Sequence, residues 1–153
     1  YQTDIQRPIV QLAHSDYTSK SAPQRVRELF PIDADKLIRR RIAFFNVWKP
    51  LYRTVEEFPL AMCDETTLVE EDKLTMELKY NDRTGEIFVL RYSPTHRWYY
   101  FPKMKPDQAL LLKTYESEPN HASSMIHSAF EDPSSPINAP TRESIEVRTM
   151  AFF

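Results

Sequence analysis

Apolar residues in this chain fall into short runs broken by polar and turn-forming positions. Seven runs read as strands: 8–13, 42–48 (IAFFNVW), 60–63, 87–92 (IFVLRY), 98–101, 109–115 and 145–153. They are short, rich in β-branched and aromatic residues, and bounded by Pro, Asp, Asn or Ser. Helical signals are confined to two stretches. Residues 23–30 carry Pro23 near a helix start, and residues 33–41 offer Asp33 as an N-cap. Residues 109–113 also admit a helix, capped by Asp107. Three prolines within 131–141 (EDPSSPINAPT) mark a loop. Many short strands with little helix predict a mainly β, antiparallel sandwich or barrel with one or two short helices.

The 153 residues fit one domain, 1–153. Its single glycine, Gly85, stands where average usage would give about eleven. Phosphate-cradling loops need several glycines, so P-loop and Rossmann sites are excluded. The glycine deficit and the absence of an initiator Met lead to the expectation that N-terminal residues of a longer protein precede Tyr1. Twenty Lys+Arg against 22 Asp+Glu leave a net charge of −2. Nucleic-acid binders carry a basic excess, so no nucleic-acid partner is expected. The signs are interspersed except at Arg39, Arg40 and Arg41. No run approaches about 18 apolar residues, so no membrane helix is expected. A lone cysteine, Cys63, fits a reducing compartment and a cytoplasmic location, and reads as a buried small hydrophobe.

The chemistry starts at His14-Ser15-Asp16. On an extended segment, residues i and i+2 point the same way, so an imidazole and a carboxylate converge. With a distant second histidine they make the facial triad of non-haem Fe(II) oxygenases, which leaves coordination positions open. The competing reading is a surface hydrogen bond between the two side chains. His127 is the best third ligand, because Met125, Ile126 and Phe130 suggest that its segment enters the sheet. His96, at a turn before an aromatic run, reads as structural. His121, in a polar loop, reads as exposed. Arg142-Glu143-Ser144 follows, and a guanidinium with a nearby hydroxyl suits the far carboxylate of a dicarboxylic acid. Arg91-x-Ser93 repeats that pattern, but only Arg142 follows the distal histidine. Arg148 lies on the same strand face as Arg142 and is the alternative.

The order His-x-Asp, His, Arg-x-Ser on the last strand is the layout of iron(II)/2-oxoglutarate oxygenases on a double-stranded β-helix, the jelly-roll or cupin-like core. The segments FFNVWKPL, FPLAMCDETTL, HRWYYFPKMKPDQALLLKTYES, HSAFEDP and RESIEVRTMAFF resemble the fungal hydroxylase/desaturase family. That family includes the gibberellin desaturase type and is similar to the bacterial component of cephamycin 7α-methoxylation.

The resemblance runs over essentially the whole chain and implies a secondary-metabolism oxidoreductase using Fe(II), 2-oxoglutarate and O2. It implies His14, Asp16 and His127 as metal ligands and Arg142 and Ser144 as the co-substrate site. The expected activity is hydroxylation or desaturation of an unactivated C–H position in a small-molecule substrate. Asn46 and Lys113 are further polar candidates beside the co-substrate. Tyr17, Trp48, Trp98, Tyr99 and Tyr100 are candidates for the substrate pocket, with core packing favoured for most of them. Two alternatives stay open: a metal-dependent cupin enzyme that does not use 2-oxoglutarate, and a non-catalytic jelly-roll binding domain.

Overall fold

The computed structural model describes residues 8–119, 121 and 124–153. Two helices, α1 (Ser21–Leu29) and α2 (Ala34–Ile38), precede eight strands. These are β1 (Ile42–Pro50), β2 (Leu60–Cys63), β3 (Lys73–Lys79), β4 (Thr84–Leu90), β5 (Trp98–Tyr100), β6 (Leu110–Glu116), β7 (His127–Ala129) and β8 (Ser144–Phe152). All pairings are antiparallel. One sheet has the order β6-β1-β8, a second β5-β2-β7, and β3 and β4 form a hairpin. The mainly β, antiparallel expectation holds, and the arrangement is that of a jelly-roll core. No helix among the described residues is long and apolar enough to cross a membrane.

β1 is the central strand of its sheet, and its period-2 pattern explains why. Ile42, Phe44, Asn46, Trp48 and Pro50 point to one buried face. Two clusters form there. Phe44 and Ile42 pack with Ala22, Val26 and Tyr115. Trp48 packs with Leu112, Leu60, Val55 and Met104, which joins β1 and β6 to β2 of the second sheet. The opposite face carries Val47, flanked by Leu111 of β6 and Val147 of β8.

Helix α1 starts one turn before its first regular residue. Thr18 Oγ1 accepts from the Ser21 N–H and Ser21 Oγ accepts from the Thr18 N–H, a reciprocal cap. The same two hydroxyls donate to the carboxylate and backbone carbonyl of Glu86, which docks α1 on β4.

Several expectations need correction. Residues 8–13 form no strand; His14, just past them, makes isolated bridges. The 109–113 ambiguity resolves as strand β6, because consecutive residues from Leu110 onward pair antiparallel with β1. β3 (KLTMELK) was not anticipated as a strand. It pairs only with β4, lies largely in solvent, and so carries little of the apolar density that marks a buried strand. Trp98, Tyr99 and Tyr100 are 38, 56 and 37% exposed rather than core. Their strand, β5, is an edge paired only with β2. The Arg39–Arg41 run is spent within the fold. Arg41 forms a two-point pair with Glu116, and Arg40 and Arg39 donate to the carbonyls of Phe153 and Asp35.

Candidate metal centre

His14 joins the hairpin to the three-stranded sheet. It pairs antiparallel with Val89 of β4 on one side and with His127 of β7 on the other. Its N–H donates to the His127 carbonyl at 3.1 Å and its carbonyl accepts from the His127 N–H at 2.9 Å. Directly opposed residues project to the same face. The two rings therefore lie side by side, with centroids 4.6 Å apart. Asp16, two residues on, turns its carboxylate to the same point. One ligand atom from each of His14, Asp16 and His127 lies within 4.8 Å of the others.

Both imidazoles are held in the form that binds metal. Nδ1 of His14 meets the Leu12 carbonyl at 2.7 Å, and Nδ1 of His127 meets the Met125 carbonyl at 3.1 Å. A carbonyl only accepts, so each Nδ1 carries a proton and Nε2 is the ring nitrogen left for a metal. Burial, reinforced by neighbouring His127, pulls the His14 imidazole below the usual histidine range. It is therefore neutral at neutral pH, as ligation requires.

Asp16 is buried and both its oxygens are engaged. Asn46 Nδ2 donates to Oδ2 at 2.5 Å and Arg148 Nη2 donates to Oδ1 at 3.0 Å. Oδ1 is also the oxygen 4.0 Å from His14 Nε2. Arg148 further binds Glu146 through Nε. Burial alone would lower the Arg148 pKa, but the carboxylates of Asp16 and Glu146 outweigh it and raise it.

Arg142 lies elsewhere on the same face. It precedes β8, donates to the Phe58 carbonyl, and stacks its guanidinium 5.2 Å from the centre of the Trp48 ring. Its Nε is buried without a partner, and burial pulls its pKa down to about 10. No carboxylate pairs with it among the described residues. Phe58 holds φ at 48°, a strained region for a bulky residue, and this conformation presents its carbonyl to Arg142. Trp48 is two residues from Asn46 on one strand face, about 7 Å along. Ser144 opens β8 opposite Pro50.

The remaining candidates fall away from this point. His96 is bound to Asp72 at 2.9 Å, a structural pair, and His121 is exposed beside Glu118. Lys113 pairs with Phe45 on the other face of the sheet and reaches Glu116, so it is not beside the site. Of the five aromatics, Tyr17 alone lines the cavity that opens on His14 and Asp16. That cavity, of about 410 Å³, is walled by α1 and the β3–β4 hairpin, including Met76, Leu78 and Tyr80. Asn46 had a legible signal: it is the one polar member of the inward row Ile42, Phe44, Asn46, Trp48.

Two imidazole nitrogens and one carboxylate on a buried face are a donor set suited to a divalent transition metal with open positions. The guanidinium of Arg142, which has no carboxylate partner among the described residues and an unpaired Nε, fits an anion.

Comparison with known proteins agrees. A protein-family model described as an oxidoreductase/YMDC permease-like domain matches residues 2–152. The Fe(II)/2-oxoglutarate-dependent dioxygenase nvfI of Aspergillus novofumigatus is 36% identical over 141 residues, covering 91% of this chain and 51% of that protein. The hydroxylase/desaturase efuI of Hormonema carpetanum is 32% identical over 152 residues, covering 92% and 50%. A solved structure, the iron and alpha-ketoglutarate-dependent endoperoxidase NvfI, superposes with a TM-score of 0.89 at 31% identity, over 99% of this chain and 57% of that one. The chain spans about half the length of the curated relatives it matches.

Proposed function

The chain belongs to the oxidoreductase/YMDC permease-like family, and from that premise we propose that it carries the centre of an Fe(II)/2-oxoglutarate-dependent oxygenase. Its reaction is hydroxylation or desaturation of an unactivated C–H position in a small molecule of secondary metabolism. The observation that carries this reading is the convergence of His14, Asp16 and His127 within 4.8 Å. The relatives named as dioxygenases and hydroxylase/desaturases support the same chemistry.

His14, Asp16 and His127 are the residues that would hold iron, through Nε2 of each imidazole and Oδ1 of the carboxylate. When bound, iron with 2-oxoglutarate and O2 supplies the oxidising power, as 2-oxoglutarate is converted to succinate and CO2. The protein's part is to bind, orient and exclude water. The carbonyls of Leu12 and Met125 keep both imidazoles in the ligating tautomer. Arg142, with Ser144, receives the far carboxylate of 2-oxoglutarate. Support for this comes from its lack of a carboxylate partner, since a buried unpaired guanidinium is costly until an anion arrives. Arg148 is less suited, because Asp16 and Glu146 already occupy it. The cavity gives an organic substrate an approach to the ligands that is apolar at Leu12, Tyr17, Met76 and Leu78 and polar at Arg25, Glu28 and Arg83.

The test is turnover without substrate. Iron-loaded protein should bind 2-oxoglutarate, seen as the visible absorption of a chelated 2-oxo acid, and should form succinate slowly in air. Asp16→Ala should do neither. Iron-loaded protein that leaves 2-oxoglutarate unbound and unconverted would instead favour a metal enzyme without this co-substrate. Failure to retain iron would favour a binding domain.

A further inference from the structure

Asn46 is 1% exposed and sits between Phe44 and Trp48 in the most apolar row of the fold. One end of its amide donates to Asp16 Oδ2. The other end, Oδ1, is buried and has no partner among the described residues. A half-satisfied amide in a core lowers stability, and a leucine of similar volume would remove that cost while stranding Oδ2 of the buried Asp16 carboxylate. What the asparagine supplies in this apolar row is its donor to Asp16.

We propose that Asn46 is a positioning residue for the metal centre. This rests on the reading of His14, Asp16 and His127 as metal ligands. Asn46 holds Oδ2 of Asp16, and Arg148 steadies Oδ1 from the β8 side, its backbone paired with Asn46 across the sheet. Held at both oxygens, the carboxylate does not swing about its own axis. Oδ1 stays turned toward the imidazoles and Oδ2 stays turned away, which makes Asp16 a one-oxygen ligand and keeps the opposite side of the metal position free. Without Asn46, either oxygen or both would face the metal.

The experiment measures metal binding rather than turnover. Mn(II), as a redox-stable probe, is titrated calorimetrically into the metal-free protein, and the visible spectrum of the Co(II) form reports ligand geometry. The wild-type protein should bind one ion and Asp16→Ala none. Asn46→Leu should bind Mn(II) about 10- to 100-fold more weakly, the range for losing an outer-shell partner, with an altered Co(II) spectrum. Asn46→Ser, whose hydroxyl falls short of Asp16, should weaken binding likewise and serves if the leucine variant does not fold. Wild-type affinity and an unchanged spectrum in these variants, with only the melting temperature lowered, would overturn the proposal. A wild-type protein that binds no metal would overturn the functional reading as well.

Discussion

His14 and His127 exchange both of their backbone hydrogen bonds, and this pairing sets their imidazole centroids 4.6 Å apart. The peptide backbone alone brings the two rings together. A substitution of either ring should therefore leave the ladder standing. His127→Ala is expected to keep the far-ultraviolet spectrum and cooperative unfolding of the wild type. Its metal affinity should drop further than the roughly 100-fold typical of losing an outer-shell support. Calorimetric titration with Mn(II) measures this, and near-wild-type affinity would remove His127 from the ligand set.

Arg142 is the next point of test. Loss of a charge-assisted contact is worth about 1.5–3 kcal/mol. Arg142→Met should therefore weaken 2-oxoglutarate binding by roughly tenfold to a hundredfold. The same change deletes a buried cation that has no carboxylate partner, so the melting temperature should stay level or rise. Undiminished affinity for 2-oxoglutarate in this variant would pass the role to Arg148.

Acid should weaken the fold through Glu116. The two-point bond from Arg41 outweighs burial and holds the Glu116 carboxyl down to about 2. A carboxyl with a depressed folded-state pKa stabilises above its unfolded value, near 4.3. That contribution is lost as pH falls from there toward about 2. Urea melts across this window should show stability declining in the wild type and a shallower decline in Glu116→Gln. Parallel curves would contradict the assignment.

Phe44 anchors the cluster under α1, fully buried against Ala22, Val26 and Tyr115 and edge-on to Tyr17. Phe44→Ala is expected to cost about 3–5 kcal/mol, read from the urea midpoint at constant slope. A loss below about 1 kcal/mol would mean that the cluster relaxes to fill the space.

The strands that bury one face could be read directly from the residues. IAFFNVW places apolar side chains at the period that burial against a second layer demands, LAMC is a short run buried almost throughout, and the final run reads as a strand from its β-branched residues although Ile145 and Val147 face solvent. β3 gives a weak signal because its apolar alternation, Leu74, Met76, Leu78, is interleaved with Lys73, Thr75, Glu77 and Lys79 and none of it is fully buried. The His-x-Asp pair and His127 could be read as well, because an extended backbone and an apolar neighbourhood are local signals. Three features depended on which strands meet. Asn46 meets Asp16 only through packing across 30 positions. Arg148 meets it across 132. The outward turn of Trp98 and Tyr99 follows from β5 lying at an edge, which its own composition does not reveal.

One residue, His14, offers its side chain to the proposed metal and its main chain to the hairpin that walls the cavity. The two duties cannot be separated by moving the backbone, since any displacement of the hairpin drags an imidazole with it. Remodelling this chamber for a bulkier or slimmer guest is therefore a matter of trimming or enlarging Met76, Leu78 and Tyr80, with the loop geometry left as it is.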